Sequence, residues 1–354
     1  MSEEDVIDRA VTALGSGKDD DFVIAPTRHA EELSTKAPAL ARLLRSAKVE
    51  ALARQYERLD AEALEAQRKF SRAIEQANAA VLATAVLSAA MMVVGLVLSG
   101  GAERALLIIL GLLSVSAGAF ASMWLFRVRE GGLLEAWMSA RASAETRRLA
   151  YFATLLGIRS EELSEIPLEL LKLEYFRRYQ LDVQTAYYKA RRQRHKKSAE
   201  RTLMLGGLAV ALASIAAGAA GFLGAAFETA WVSLAALGIV GASLGSFASM
   251  REAVNQDRRN AERYGRTLAA LEELRGRLDE VRAGAATGLS DVTDEFVAAV
   301  HEQLSLEHRQ WLEGGESTRS TIVKLNEILA KAEEQRTAKL QKPPGQDAAA
   351  GAGS

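Results

Sequence analysis

Twenty-two consecutive residues without a charged side chain, 105–126, read "ALLIILGLLSVSAGAFASMWLF". Three more stretches also lack Asp, Glu, Lys and Arg: residues 76–102, 202–227 and 229–250. A helix that rises about 1.5 Å per residue needs about 20 residues to cross about 30 Å of hydrocarbon. We therefore predict four membrane spans, at about 77–100, 105–126, 202–227 and 229–250.

Short connections join these spans in pairs. Glu103 and Arg104 separate the first two spans, and Glu228 with Thr229 separates the second two, so each pair turns back as a helical hairpin. A buried pair of hairpins in a soluble bundle is the alternative, but soluble helices of this length carry a polar face. The predicted fold class is an all-α membrane protein with two transmembrane hairpins (four spans) and cytoplasmic amphipathic, partly coiled-coil helices.

Composition excludes several kinds of chemistry. The chain has no cysteine, which removes disulfides, thiol nucleophiles and the common zinc sites. It has no glycine-rich phosphate loop, nucleophile elbow or paired-carboxylate motif, so we predict neither an enzyme nor a bound cofactor or metal. His301 and His308 share a helical face, and we expect them to be solvated. The absence of ionisable side chains from the spans disfavours proton relays and ion-coupled transport.

Positive charge lies at one end of each span. Residues 127–201, between the hairpins, hold 16 Lys or Arg against 10 acidic residues. At the two hairpin tips, Arg104 is the only Lys or Arg. This bias predicts that both termini and the central segment are cytoplasmic. The acidic N-terminus lacks a secretory signal.

The cationic residues just before the third span are predicted to bind anionic lipid headgroups as a membrane-surface anchor. They are Lys189, Arg191, Arg192, Arg194, Lys196 and Lys197. Nucleic-acid binding, with Tyr187 and Tyr188 as stacking partners, is the alternative and is disfavoured by this position beside a span.

One small-residue phrase recurs after 127 residues, as "GAFASM" at 118–123 and "GSFASM" at 245–250. The small residues of the second span thereby align with those of the fourth: Gly111, Ser114, Gly118 and Ser122 with Gly238, Gly241, Gly245 and Ser249. Such stripes let helices approach closely in lipid. They are candidates for packing within each hairpin, or for a seam between subunits that lines a pore.

The repeated phrase indicates an internal duplication. We divide the chain into an acidic, partly disordered segment at 1–39, a first unit at 40–165, a second unit at 166–335 and a disordered tail at 336–354. Residues 251–283 are predicted to continue from the fourth span as one amphipathic helix. Residues 291–312 and 320–335 are predicted as further helices of the second unit.

The stretch "YFRRYQLDVQTAYYKARRQRHKK", followed by a two-span hairpin, resembles the SLATT family, the SMODS and SLOG-associating two-transmembrane effector domains of bacteria. The matching residues are Tyr179, Gln184, Tyr187 and Tyr188, followed by a basic helix. Residues from about 40 to 165 resemble a second, more divergent unit, as in tandem members of the family.

This resemblance implies a multi-pass effector of the bacterial inner membrane that forms pores or perturbs the membrane on homo-oligomerisation. In such nucleotide-linked antiviral conflict systems, a partner sensor, a nucleotide synthase or a second messenger is the expected trigger. The alternative is a non-conducting membrane scaffold whose cytoplasmic helices recruit partners.

Overall fold

The computed structural model describes residues 2–17, 21–97, 100–159, 164–224 and 232–310. These residues are predominantly helical and contain no strand, which confirms the predicted all-α fold class. The helices are α1 (Glu3–Leu14), α2 (Pro26–Leu33), α3 (Pro38–Leu44), α4 (Ala47–Val97), α5 (Gly101–Glu130), α6 (Leu133–Gly157), α7 (Leu168–Phe176), a π-helical turn (Arg177–Asp182), α8 (Val183–Gly224), α9 (Val232–Asn255), α10 (Asp257–Gly276) and α11 (Leu278–Ala286). Residues 290–310 are also helical. The helix predicted at 320–335 and the predicted tail at 336–354 lie outside the described residues.

The chain forms two compact units. The first, which we call the polar unit, comprises Met1–Lys69, Glu135–Arg201 and Gln256–Gly315. The second, the apolar unit, has its described residues in Phe70–Leu134 and Thr202–Asn255. All four uncharged stretches fall in the apolar unit, so the division of the fold follows the charge pattern of the sequence.

Helix α7 lies at the centre of the polar unit's core. Every residue from Leu168 to Phe176 except the half-buried Glu169 is buried, although Lys172 and Glu174 are among them. A helix that is buried on nearly all sides must be covered by other elements. Helices α1, α3 and α11 pack against it.

The described residues of the N-terminal segment, 2–17 and 21–39, are mostly helical. A capping box begins α1: Asp5 N–H donates to Ser2 Oγ and Ser2 N–H donates to Asp5 Oδ2, each at 3.1 Å. Pro26 and Pro38 lie in the first turns of α2 and α3, where a missing N–H is tolerated. The buried residues of this segment include Ala10, Leu14, Ile24 and Leu33. The acidic composition therefore conceals an apolar face that joins the core.

Two helical hairpins form the apolar unit, α4 with α5 and α8 with α9. Each hairpin is followed by a residue in the left-handed conformation, Gly132 with φ 59° after α5 and Gln256 with φ 49° after α9. Such a residue redirects the chain at the end of a helix. The predicted continuous helix at 251–283 is therefore wrong, because α9 ends at Asn255 and α10 begins at Asp257.

Three helical stretches of the described residues are long and apolar enough to cross a membrane: Ala47–Gly95, Gly101–Gly157 and Leu168–Ala219. The second stretch contains the predicted span at 105–126, and the first and third cover most of those at 77–100 and 202–227. Within each stretch, few of the 18 most apolar consecutive residues are buried: 22%, 11% and 17% of them, respectively. The fourth predicted span, at 229–250, falls largely on α9. Residues 229–231, which precede α9, and many side chains of α9 lie outside the described part. This fourth span stays a prediction.

Candidate functional site

The small-residue stripe of α9 faces α8, the other helix of the same hairpin. A Cβ on Gly241 would lie 2.7 Å from the carbonyl oxygen of Ala209 and 2.9 Å from the nitrogen of Ala213. Real Cβ atoms do not approach backbone atoms so closely, so the two helices touch at Gly241 in a way that requires glycine. This contact is the tightest point of the described stripe.

The neighbouring positions of α9 are less crowded. A Cβ on Gly238 would lie 3.4 Å from Ala216 Cβ, and one on Gly245 would lie 3.6 Å from Ala209 Cβ, which are ordinary contact distances. Ser249 is exposed. The stripe therefore has one close crossing point, at Gly241, rather than uniform contact along its length.

The stripe of α5 faces α4 in the first hairpin. A Cβ on Gly111 would lie 3.8 Å from Met91 Cε, and one on Gly118 would lie 4.0 Å from Thr84 Oγ1. Two serines complete the stripe: Ser114 is fully buried and Ser122 is half-buried. In both hairpins the predicted stripe thus lies at a seam between helices of that hairpin. Its role in lining a pore stays a prediction.

Large apolar side chains cover the outside of the apolar unit. Of the nineteen exposed large hydrophobic side chains in the described part of the chain, fifteen lie in the uncharged stretches. They are Val86, Leu106, Ile108, Ile109, Leu112, Leu113, Val115, Phe120, Met123, Phe126, Leu203, Met204, Leu208, Val210 and Ile215. Exposing this much contiguous apolar surface to water is unfavourable by about 25 cal/mol per Å². Hydrocarbon is the solvent that such a surface fits.

An aromatic residue and a cation lie together near the end of α5. The guanidinium of Arg127 lies 5.1 Å from the centre of the Trp124 ring. Tryptophan is enriched at the boundary between hydrocarbon and headgroups, where its ring is amphipathic. This pair is what we expect at the end of a membrane span.

The predicted surface anchor lies on α8, ahead of the uncharged stretch. Five of its six cations are exposed: Lys189, Arg192, Arg194, Lys196 and Lys197. Arg191 is half-buried, and its guanidinium lies 5.2 Å from the centre of the Tyr187 ring. Most of these charges therefore face solvent beside a helix that enters the apolar unit. Their binding to headgroups stays a prediction.

The predicted solvation of the histidines is wrong for His301. Its ring is half-buried and lies 5.6 Å, edge to face, from the ring of Phe176. Burial lowers the pKa of His301 to about 4, and burial also lowers the pKa of His308. Within the described residues, no group of three or more His, Asp or Glu side chains is placed to hold a metal ion.

Residues 176–311 match the model of a protein family described as "SMODS and SLOG-associating 2TM effector domain 1", or SLATT. This segment is similar to a SLATT domain. The SLATT domain begins at the last residue of α7 and contains the second hairpin, α10 and α11. A SLATT domain implies a membrane effector of conflict systems. The chain matches no curated protein and no solved structure.

The four motif residues of the SLATT domain are Tyr179, Gln184, Tyr187 and Tyr188. The buried Tyr179 ring stacks on His29 at 4.0 Å between centres, and the buried Tyr188 hydroxyl donates to Glu307 Oε2 at 3.1 Å. Burial raises the pKa of Tyr179 to about 12, and burial raises the pKa of Tyr188 well above its ordinary value. Gln184 is also buried, and Tyr187 is half-buried. The motif thus contributes mainly to the core of the polar unit.

Sequence reasoning missed a buried arginine that connects distant parts of this unit. Arg148 Nε donates to Gln180 Oε1 at 2.7 Å, Nη1 donates to the Tyr56 hydroxyl at 3.1 Å, and Nη2 donates to the Tyr179 carbonyl at 3.0 Å. Nη1 also donates to the carbonyl of Phe22 at 3.2 Å. Arg148 therefore connects the N-terminal segment, α4, α6 and the start of the SLATT domain.

Two further arginines are buried at the π-helical turn. Arg178 binds the Asp21 carboxylate through two hydrogen bonds, at 2.7 and 2.9 Å. Arg177 and Arg282 each donate to the fully buried Glu174, both at 2.6 Å. The sequence carried one signal for this network, since two adjacent arginines lie directly between aromatic residues.

Proposed function

We propose that this protein is a bacterial membrane effector that opens or perturbs the membrane on homo-oligomerisation, within a nucleotide-linked antiviral conflict system. The observation that carries the proposal is the exposed apolar surface of the hairpins, one of which belongs to a SLATT domain. A partner sensor, a nucleotide synthase or a second messenger supplies the trigger.

The first hairpin is proposed as a second, divergent SLATT unit, although the family match covers only residues 176–311. Two observations support this. The small-residue phrase recurs after 127 residues. In addition, each hairpin begins with a long helix, α4 or α8, and precedes a left-handed residue and another helix. The tandem arrangement would give each chain two copies of the membrane element.

The proposed location is the bacterial inner membrane, with the polar unit and both termini in the cytoplasm. The exposed cations of α8 support this orientation, because Lys and Arg accumulate on the cytoplasmic side of spans and attract anionic headgroups. Nucleic acid is not a proposed partner.

A passive opening fits the hairpins better than active transport. The four uncharged stretches contain no Asp, Glu, Lys or Arg, so they hold no such group for a proton relay or a coupled ion. Because the stripes lie at seams inside the hairpins, opening requires these seams to repack so that small residues face the conduit. We propose no enzymatic step.

Expression in a bacterial host, with a voltage-sensitive dye as the readout, tests the effector proposal. Gly241→Leu disrupts the tight seam, whereas Gly207→Leu makes the same change at an exposed position of α8 with nothing within 4 Å. We expect the unaltered protein and the Gly207→Leu variant to depolarise cells when the partner sensor or nucleotide synthase is co-expressed. The Gly241→Leu variant should not depolarise them. Absence of depolarisation by the membrane-inserted, triggered wild-type protein would contradict the proposal.

The scaffold alternative is favoured by one observation, namely that both stripes are already occupied by contacts within their own hairpins. A scaffold needs insertion and a stable polar unit but no repacking. It therefore predicts that the partner is still recruited to the membrane by the Gly241→Leu variant, and that no variant depolarises the cell.

A further inference from the structure

Helices α8 and α10 share a polar seam inside the polar unit. One face of α8, with helical spacing, carries Tyr188, Arg192, His195 and Ser198. The ring of Tyr264 on α10 lies 5.7 Å from that of Tyr188 and 5.5 Å from that of His195. A Cβ on Gly265 would lie 3.1 Å from Arg192 Nε, so the glycine makes room for the arginine. The two helices are therefore in close side-chain contact.

Asp257 lies at one end of this seam. It is the first residue of α10, and it is only 4% exposed. His195 Nδ1 donates to Asp257 Oδ1 at 2.7 Å, and Ser198 Oγ donates to Oδ2. A buried carboxylate requires such donors, because they compensate for part of its lost hydration. One carboxylate thus connects α8 to the beginning of α10.

The position of this cluster in the chain is informative. Ser198 precedes Thr202, where α8 enters the uncharged stretch, by four residues. On the other side, Asp257 follows Gln256, the left-handed residue that separates α10 from α9. The cluster therefore joins the segment that leads into the second hairpin to the segment that leaves it.

The first hairpin has a different link in the described part of the chain: Arg141 Nη1 of α6 donates to Asp60 Oδ1 of α4 at 3.0 Å. After its left-handed residue, Gly132, the first acidic residue of α6 is Glu135, which is exposed. A buried acid that clamps the beginning of the following helix is thus a feature of the SLATT domain and not of the first hairpin.

We propose that Asp257, His195 and Ser198 form a latch that holds the two ends of the second hairpin together, and that its release accompanies opening of the effector. The release of the latch on opening rests on the proposed function. Helix α8 continues from the latch to Gly224, within the second hairpin, so its latched segment and its apolar segment belong to one helix. On the other side, the left-handed Gln256 separates α10 from α9.

Distance measurement between spin labels tests the latch directly. The chain has no cysteine, so Lys197→Cys on α8 and Glu262→Cys on α10, both exposed, give two unique labelling sites. In liposomes, we expect Asp257→Ala to shift the distance distribution to longer and broader values. Glu273→Ala, which removes an exposed carboxylate of α10, is the matched control and should leave it unchanged.

A milder variant and a reversible lock complete the test. His195→Gln removes one partner and should produce a smaller shift in the same direction if Asp257→Ala fails to fold. A His195→Cys, Asp257→Cys pair, without labels, should form a disulfide that suppresses potassium efflux from liposomes, and a reductant should restore the efflux. The single cysteine variants should not respond to oxidant.

The outcomes separate the two proposals. An unchanged label distance in folded Asp257→Ala and His195→Gln overturns the latch, whatever the efflux. A longer distance with faster potassium efflux supports both proposals. A longer distance without efflux from any triggered variant supports the latch as a structural clamp and contradicts the effector function.

Discussion

The contact at Gly241 predicts different effects on stability for two glycine-to-alanine changes in the same hairpin. Gly241 touches the backbone of α8, whereas Gly207 is exposed and has nothing within 4 Å of an added Cβ. Both positions are helical and have negative φ, so the intrinsic gain from replacing glycine is the same. Any difference between the variants therefore reports the contact.

The magnitude follows from two terms. Alanine is favoured over glycine inside a helix by about 0.8–1 kcal/mol, and Gly207→Ala should gain this stability in full. At Gly241, a methyl group would lie 2.7 Å from the Ala209 oxygen, so α8 and α9 must move apart. Overpacking of this kind costs about 1–3 kcal/mol. Gly241→Ala should thus be less stable than Gly207→Ala by about 1–3 kcal/mol.

Unfolding of the purified protein in detergent by increasing mole fractions of sodium dodecyl sulfate measures this difference. Loss of helix is followed by circular dichroism, and the two variants are compared with the unaltered chain at the same micelle concentration. If folded Gly241→Ala unfolds at the same or a higher mole fraction than Gly207→Ala, the close crossing of α8 and α9 is refuted.

Three further predictions concern the polar unit and the orientation. Arg148→Met should lower the free energy of unfolding by roughly 1.5–3 kcal/mol, because buried acceptors lose a charged donor, whereas exposed Arg147→Met should have little effect; chemical denaturation measures both. The pKa of folded His301, about 4, lies below its unfolded value of about 6.5, so stability should fall as pH decreases from about 6.5 towards 4, and His301→Gln should flatten this dependence in thermal unfolding. In intact cells, a membrane-impermeant maleimide should label Arg104→Cys, and it should label Lys197→Cys only after permeabilisation; the reverse pattern would contradict the proposed orientation.

The sequence was sufficient to predict the helical class and the first three apolar helices. The reason is physical: the absence of charge over more than twenty residues is a local property, and it is decided without knowledge of any distant contact. The small-residue stripes were likewise visible as spacing. The sequence did not show which glycine forms the close crossing. Gly241 and Gly245 belong to the same spacing pattern, and only the way in which α9 packs against α8 distinguishes them.

The polar unit was poorly predicted because its contacts join residues far apart in the chain. Asp21 and Arg178 are 157 positions apart, and Arg148 and Phe22 are 126 apart. An acidic N-terminal segment with no long apolar run resembles disorder until its partners are known. His301 is similar, since the ring of Phe176 that covers it belongs to another helix.

The two units are held together internally by different forces, and this difference indicates which of them yields first. Separating two apolar helices within hydrocarbon exposes no apolar surface to water, so the hairpin seams depend on van der Waals contact. Separating the helices of the polar unit would expose its apolar core to water and would break inter-helix ion pairs such as that of Glu174 with Arg282, which is far more costly. For the proposed effector, the hairpins are therefore the part that rearranges while the core of the polar unit persists. A trigger that binds the polar unit must then act through α8 and α10, because these helices lead into and out of the second hairpin. A trigger that left their seam unchanged would leave that hairpin closed.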